Sequence, residues 1–254
     1  MTAHVMPQIR ALDWLVARPI AHRGLHDISR GIVENTAGAF AAAIAGGYAI
    51  ECDLQVTADG EAVVFHDETL ERLTDSQGWV KNLTAAAMRK LTIRNSNDRA
   101  QTLGELLAQV DGKAPLLIEL KSLWDGSGAL ARRALEVLRD YRGLHCLMSF
   151  DPDMIEVVRA QSPATVRGIV GNRGIGERFN LLPLERRLEL HGFPHVEQTG
   201  PDFISFDFRD FPCAPVTEFR RAGQPVISWT VRSPGEAAMA LQYSDQITFE
   251  GFLP

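Results

Sequence analysis

The sequence predicts an α/β protein of the (β/α)8 TIM barrel class, and three observations carry that expectation. Short apolar runs of strand length alternate with helical patterns along the chain. Eight such pairs can be laid out within 254 residues, a length that suits one barrel domain spanning residues 1–254. The polar residues able to do chemistry gather where the apolar runs end, which is where barrels of this kind place their sites.

The elements follow in order. Pro7 to Ala17 carries Ile9, Leu12, Leu15 and Val16 at helical spacing, suited to plugging one end of the fold. Pro19 to Gly24 reads as a short strand ending in His22 and Arg23, and a loop then runs to Gly31–Thr36. Asn35 and Thr36 open an Ala-rich helix, Ala37 to Ala45, closed by Gly46 and Gly47. In the next run, Tyr48 to Asp67, Glu51 and Asp53 stand two residues apart, so on a strand both leave the same face. A buried acid pair is costly unless a metal or a basic partner neutralises it, which makes the pair a candidate cation site. Thr57 to Gly60 is turn chemistry, and Glu61 to His66 is strand-like again. Too few residues intervene for a helical crossover, so the two runs form an antiparallel hairpin that returns His66 to about the height of Asp53.

Residues 68–111 read as a polar, mostly helical insertion after this second strand. Pro115 to Ser122 repeats the two-residue spacing with Glu119 and Lys121. Strands are then expected at Leu144–Phe150, Thr165–Val170, Asp202–Phe206, Pro225–Val231 and Gln246–Glu250. Between them lie helices at Gly128–Tyr141, Asp153–Gln161, Val216–Ala222 and Pro234–Gln242, with a Gly/Arg-rich loop and a polar helix near Leu182–His191. Such alternation implies a parallel sheet with right-handed crossovers, closed into a barrel.

Composition narrows the function. A hydrophobic share of 45%, a charged share of 23% and a net charge of -6 argue against a nucleic-acid or anionic-membrane surface. Cys52, Cys146 and Cys213 are odd in number and widely spaced, and they read as buried free thiols in a reducing compartment. Without a CxxC pair, a cysteine-ligated zinc is not expected. The N-terminal residues lack a signal-peptide pattern, and no apolar run approaches the ~18 to 20 residues of a membrane span. The expectation is a cytoplasmic protein with no membrane anchor.

Glu51, Asp53 and Glu119 offer the oxygen ligands that Mg²⁺ or Ca²⁺ takes. The plainer alternative is an acid cluster neutralised by Arg23 and Lys121, but three acids on converging strand ends favour a metal. His22 and His66 are candidates for general acid and base; either alone would be an ordinary structural histidine. Arg23 and Lys121 add fixed positive charge suited to an anionic phosphoryl oxygen, and Trp229 lies near the end of the seventh strand. His4, His145, His191 and His195 have no such company, and His26 sits in the right loop without a role. Metal, paired histidines and flanking cations describe phosphate-ester hydrolysis better than glycoside chemistry, which needs only paired carboxylates. No GxSxG, P-loop or dinucleotide fingerprint is present.

Several ordered motifs add a resemblance. HRG at His22–Gly24, ENT at Glu34–Thr36, ECDLQVTADGEAVVFHDETLERLT at Glu51–Thr74, TLGELL at Thr102–Leu107, IELK at Ile118–Lys121, SF at Ser149–Phe150 and WTV at Trp229–Val231 closely resemble the glycerophosphodiester phosphodiesterase family over about residues 19–251. The resemblance implies a PLC-like phosphodiesterase TIM barrel with a small helical insertion after strand 2, and hydrolysis of a glycerophosphodiester to an alcohol and sn-glycerol 3-phosphate; the polar insertion and acidic net charge favour small water-soluble diesters over lysophospholipids. It also implies metal ligation by Glu51, Asp53 and Glu119 with Mg²⁺ or Ca²⁺, catalysis by His22 and His66, and phosphate contacts from Arg23 and Lys121, with Trp229 in the substrate site. Two departures stand out: Arg232 follows WTV where the family often has Asn, and the family's closing ITD becomes Ile247-Thr248-Phe249. A lysophospholipase D-type reaction on a lipid and a catalytically weak phosphodiester-binding barrel are the alternatives. The oligomeric state and the division of acid and base between the histidines stay open at this point.

Overall fold

Eight parallel strands close on themselves in the computed structural model, which describes residues 12–173, 184–191, 193 and 195–254. The strands are β1 (Ile20–Ala21), β2 (Ala49–Val56), β4 (Leu116–Leu120), β5 (His145–Ser149), β6 (Arg167–Gly171), β7 (Phe203–Asp207), β8 (Val226–Val231) and β9 (Gln246–Phe249). Each pairs with the next, and β1 completes the ring by pairing with both β2 and β9, Ala21 facing Ile50 on one side and Phe249 on the other. β3 (Ala62–Val64) lies outside the ring, antiparallel to the end of β2 with Leu54 opposite Val64, as the hairpin reading expects.

The barrel interior explains where the chemistry sits. Inward positions alternate along each strand, so β2 presents Ala49, Glu51 and Asp53, and β4 with the residue after it presents Leu117, Glu119 and Lys121. Ala49, Leu117, Cys146, Phe203 and Ile227 fill the half nearer the strand N-termini, where Leu12 and Leu15 join them. The single-turn helix α1 (Asp13–Val16) thus plugs that end, as far as the expected N-terminal helix falls within the described residues. Burying a side chain such as Phe203 stabilises the fold by ~2 to 3 kcal/mol. The other half of the interior is polar and open.

Outward strand residues pack beneath helices α2 (Ala37–Gly46), α4 (Leu103–Val110), α5 (Ala129–Leu138), α6 (Pro152–Gln161) and α10 (Pro234–Ala240), in one large apolar layer containing Cys52. α4 is set by a full capping box, Thr102 with Glu105. The insertion is less helical than its composition suggests. Between residues 68 and 102 the helix is confined to α3 (Ala85–Met88) and a 3-10 turn at Val80–Asn82. Bridges Thr69 to Trp79, Thr74 to Ile93 and Thr92 to Arg99 tie the rest around a small core of Leu70, Val80, Met88 and Ile93. Turn-forming stretches, TDSQG and NSND, win over the scattered Leu and Ala that suggested helix.

Of the later polar segment, α7 (Leu184–His191) is helical as expected, followed by α8 (Val196–Thr199), while the Gly/Arg-rich loop lies outside the described residues, as does His4. α9 (Ala214–Arg221) completes the described helices. Cys52 and Cys146 are buried thiols and Cys213 is half-buried, all unpaired. Among the described residues no helix is long and apolar enough to cross a membrane.

Candidate active site

A cavity of about 370 Å³ opens at the C-terminal ends of the strands, and His22, Arg23, Glu51, His66, Glu119 and Lys121 all line it. Trp229 and Phe150 form an aromatic wall, edge to face at 5.5 Å, with the Trp229 indole N–H donating to Ser205 O at 3.1 Å. A roomier groove of about 630 Å³ lies at the other end, where His145 begins β5, but it gathers no comparable cluster of acids and histidines.

The turn after β1 aims its groups by backbone geometry. Arg23 adopts φ +55°, which turns its amide N–H onto Glu51 Oε2 at 2.9 Å. Gly24 follows at φ +78°, where a Cβ would stand 2.8 Å from Ala39 carbonyl carbon, so only glycine fits. The Arg23 side chain spans two acids, its Nη1 2.6 Å from Glu34 Oε1 and its Nε 3.4 Å from Asp53 Oδ2. Asn35, also left-handed at φ +56°, clasps Asp53 twice, donating from Nδ2 at 2.8 Å and accepting the Asp53 N–H at 3.2 Å.

Across the cavity, the hairpin delivers His66 beside Asp53, because Phe65 N–H donates to Asp53 O at 3.0 Å. Gln55 holds the turn by donating from Nε2 to His66 O at 2.9 Å. His66 Nδ1 meets Asp67 Oδ1 at 2.6 Å, and His22 Nδ1 meets Glu250 Oε2 at 2.5 Å. Each histidine thus spends Nδ1 on a carboxylate, and both rings line the cavity. His22 Nε2 lies 4.0 Å from Glu51 Oε2.

Glu51, Asp53 and Glu119 are buried, and one carboxylate oxygen from each comes within 4.8 Å of the others. Lys121 Nζ reaches Asp53 Oδ1 at 2.8 Å and Glu119 Oε1 at 2.5 Å. Three acids therefore face two cations. Burial pushes the Glu51 carboxyl well above its ordinary range, and Asp53 and Glu119 add to the effect. Burial acts on Asp53 in the same sense, but Lys121, then His66 and Arg23, outweigh it and hold that carboxyl well below its range. A crowded, oxygen-only donor set with one carboxyl resisting ionisation fits a hard divalent cation. A second trio, His22, His26 and Glu250, is equally close, but its glutamate already serves His22 and Arg232.

Burial lowers the pKa of both histidines; at His22 the Glu250 bond opposes it, and at His66 Lys121 reinforces it. Burial thus disfavours the charged form of both rings, while the carboxylate on each Nδ1 favours it.

The structure brings together all eight residues singled out from sequence. It adds Asn35, Gln55, Asp67 and Glu250, which hold the others, and Arg209, Arg232 and Thr248, which line the cavity. Thr248 Oγ1 is buried with no hydrogen-bond partner among the described residues. Gln55 continues the alternation of Glu51 and Asp53, a signal the sequence held; Glu250 had none. His145 and His195 pack away from the site, His145 Nδ1 donating to Gly143 O and His195 lying beside Phe193.

A parallel barrel carrying paired histidines, clustered acids and two fixed cations at its C-terminal mouth defines a phosphoric diester hydrolase. Residues 22–247 match the glycerophosphoryl diester phosphodiesterase family, and the chain belongs to that family. It is 30% identical over 187 residues to the glycerophosphodiester phosphodiesterase of Caldanaerobacter subterraneus subsp. tengcongensis, a match covering 68% of this chain and 74% of the relative. It is 32% identical to glycerophosphodiester phosphodiesterase 1 of Bos taurus over 65% of this chain, a match that spans about half (53%) of the bovine protein. The fold is shared with a phosphodiesterase of Oleispira antarctica, at TM-score 0.73 and 23% identity over 93% of this chain and 94% of that one. It is shared also with a glycerophosphodiester phosphodiesterase of Thermotoga maritima, at TM-score 0.68 and 24% identity over 91% and 92%.

Proposed function

We propose that the chain hydrolyses glycerophosphodiesters to sn-glycerol 3-phosphate and an alcohol, with Mg²⁺ or Ca²⁺ bound by Glu51, Asp53 and Glu119 and with His22 and His66 as the acid–base pair. The observation that carries this reading is the pair of histidines lining one cavity with the acids, each with Nδ1 on a carboxylate and, at His22, Nε2 4.0 Å from Glu51 Oε2. The Oleispira antarctica phosphodiesterase, solved in complex with the product sn-glycerol-3-phosphate, supports the substrate class.

When bound, the cation supplies charge stabilisation to the phosphoryl oxygens. Arg23 and Lys121 orient the diester by the same charge, and their contacts with Asp53 and Glu119 hold them in place for it. One histidine takes a proton from the attacking hydroxyl or water, and the other delivers one to the departing alcohol oxygen. Trp229 and Phe150 give the organic part of the substrate a flat apolar surface. Apart from Met148 and Val170, charged and polar groups line the rest of the cavity, which favours small water-soluble diesters over lysophospholipids.

The test is alcohol release from glycerophosphocholine and from lysophosphatidylcholine below its micelle concentration, with and without chelator. Activity on the former that chelation abolishes and Mg²⁺ or Ca²⁺ restores is expected; full turnover in excess chelator would remove the metal from the reading, and a preference for the lipid would reverse the substrate assignment.

A further inference from the structure

We infer that Glu250 is a positioning residue for His22 and that Arg232 fixes Glu250 in that task. The inference rests on the proposed acid–base role of His22 and adds how that ring is held. Closure of the barrel creates the contact. His22 N–H donates to Phe249 O at 2.9 Å, continuing the β1–β9 ladder, so the next residue of each strand, His22 and Glu250, emerges at the same seam. Glu250 N–H in turn donates to Val231 O at 3.0 Å, which brings Arg232 alongside.

The two glutamate oxygens divide their work. Oε2 meets His22 Nδ1 at 2.5 Å, and Oε1 meets Arg232 Nη2 at 2.7 Å. His26 Nε2 stands 3.6 Å from Oε2, on the same side as His22. Arg232 is itself anchored, its backbone N–H donating to Glu236 Oε2 at 2.5 Å and its Nη1 to Thr230 O at 3.3 Å. With Nδ1–H given to Glu250, the free tautomeric position of His22 is Nε2, on the cavity side. A carboxylate on Nδ1 fixes both the ring plane and the tautomer, and it stabilises the ring when Nε2 accepts a proton. Arg232, one of the two departures from the family pattern, therefore reaches the His22 ring through Glu250, the residue that follows the other at Phe249.

The test compares the full-length protein with Glu250→Gln, Glu250→Asp, Arg232→Gln and the Glu250→Gln/Arg232→Gln double variant. Glu250→Gln is expected to lower kcat on glycerophosphocholine by about 10- to 100-fold, the usual cost of removing a carboxylate behind a working histidine, with KM changed by less than about threefold. Glu250→Asp should recover part of the loss. Arg232→Gln should cost several-fold through Glu250, so the double variant should be little worse than Glu250→Gln alone. Independently of turnover, proton NMR should show a low-field Nδ1–H signal that disappears in His22→Ala and in Glu250→Gln but persists in His66→Ala. An inactive wild-type protein would overturn the proposed function while leaving this signal to decide the positioning. Unchanged kcat in Glu250→Gln, a loss confined to KM, or a low-field signal that survives the substitution would overturn the inference. If Glu250→Gln fails to fold, Arg232→Gln decides: its side chain is half exposed, and an unchanged kcat there would count against the clamp.

Discussion

The two histidines carry the same Nδ1 contact, yet the two halves of the site are built in opposite ways. The His66 half is local. His66 binds the adjacent Asp67 at 2.6 Å, Arg72 Nε reaches Asp67 Oδ2 at 2.6 Å, and Arg72 continues to both oxygens of Glu34 at 2.8 and 2.7 Å. Glu34 then meets Arg23 at 2.6 Å, so alternating charges connect His66 to the turn beside His22. The His22 half is global: its partner Glu250 stands 228 residues away and arrives only when β9 pairs with β1. One ring is thus positioned by a hairpin and the other by closure of the whole barrel. The pair exists only in the complete fold.

The sharpest way to break the comparison is to remove each ring. His22→Ala and His66→Ala should each lower kcat by roughly 10² to 10⁴, the range for losing a positioned acid or base. The double variant should be little worse than either single, since both act on one displacement. Near-normal rates in both singles would make the rings structural. One step smaller, Asp67→Asn should cost about 10- to 100-fold in kcat, as expected for a partner behind the histidine. Steady-state kinetics at fixed cation concentration measure both. A much larger loss from Asp67→Asn than from Glu250→Gln would show that the local half carries more of the reaction.

The same contrast explains what the sequence could reveal. Glu51, Asp53, Glu119 and Lys121 were legible because a strand displays alternate residues on one face, and His66 because a four-residue turn fixes where the chain returns. Asp67 lay beside His66 but was not assigned, and Asn35 read as the start of a helix, although its left-handed backbone turns it onto Asp53. Glu250 could not be read, because its partner is set by the register across the seam rather than by any spacing along the chain. The insertion misled for a different reason: its leucines and alanines serve a small separate core around Leu70 and Met88, and a satellite core of this kind imposes no helical period.

The smallest expected effect tests the charged chain that joins the halves, through its dependence on pH. Glu34 is mostly buried, which alone would raise its pKa, but the Arg72 hydrogen bonds and the charges of Arg23 and Arg72 outweigh burial and hold it at about 2. A carboxylate with a folded pKa below its unfolded value, about 4.5, contributes stability that is complete above pH 4.5 and is lost as pH falls toward 2. The contribution at pH 7 is of the order of 2 to 3 kcal/mol, less than the full shift would give because Arg72 is partly exposed and screened. Glu34→Gln removes the titrating group while keeping its shape, so urea unfolding should find the variant less stable at pH 7 by about that amount, with the difference shrinking to roughly a quarter of it near pH 2.5. Because Glu34 reaches the cavity only through Arg23, kcat should fall no more than several-fold. A stability difference that stays constant from pH 7 down to pH 3 would mean that the Glu34 contacts act by shape and packing, and the two halves of the site would then be joined by geometry rather than by charge.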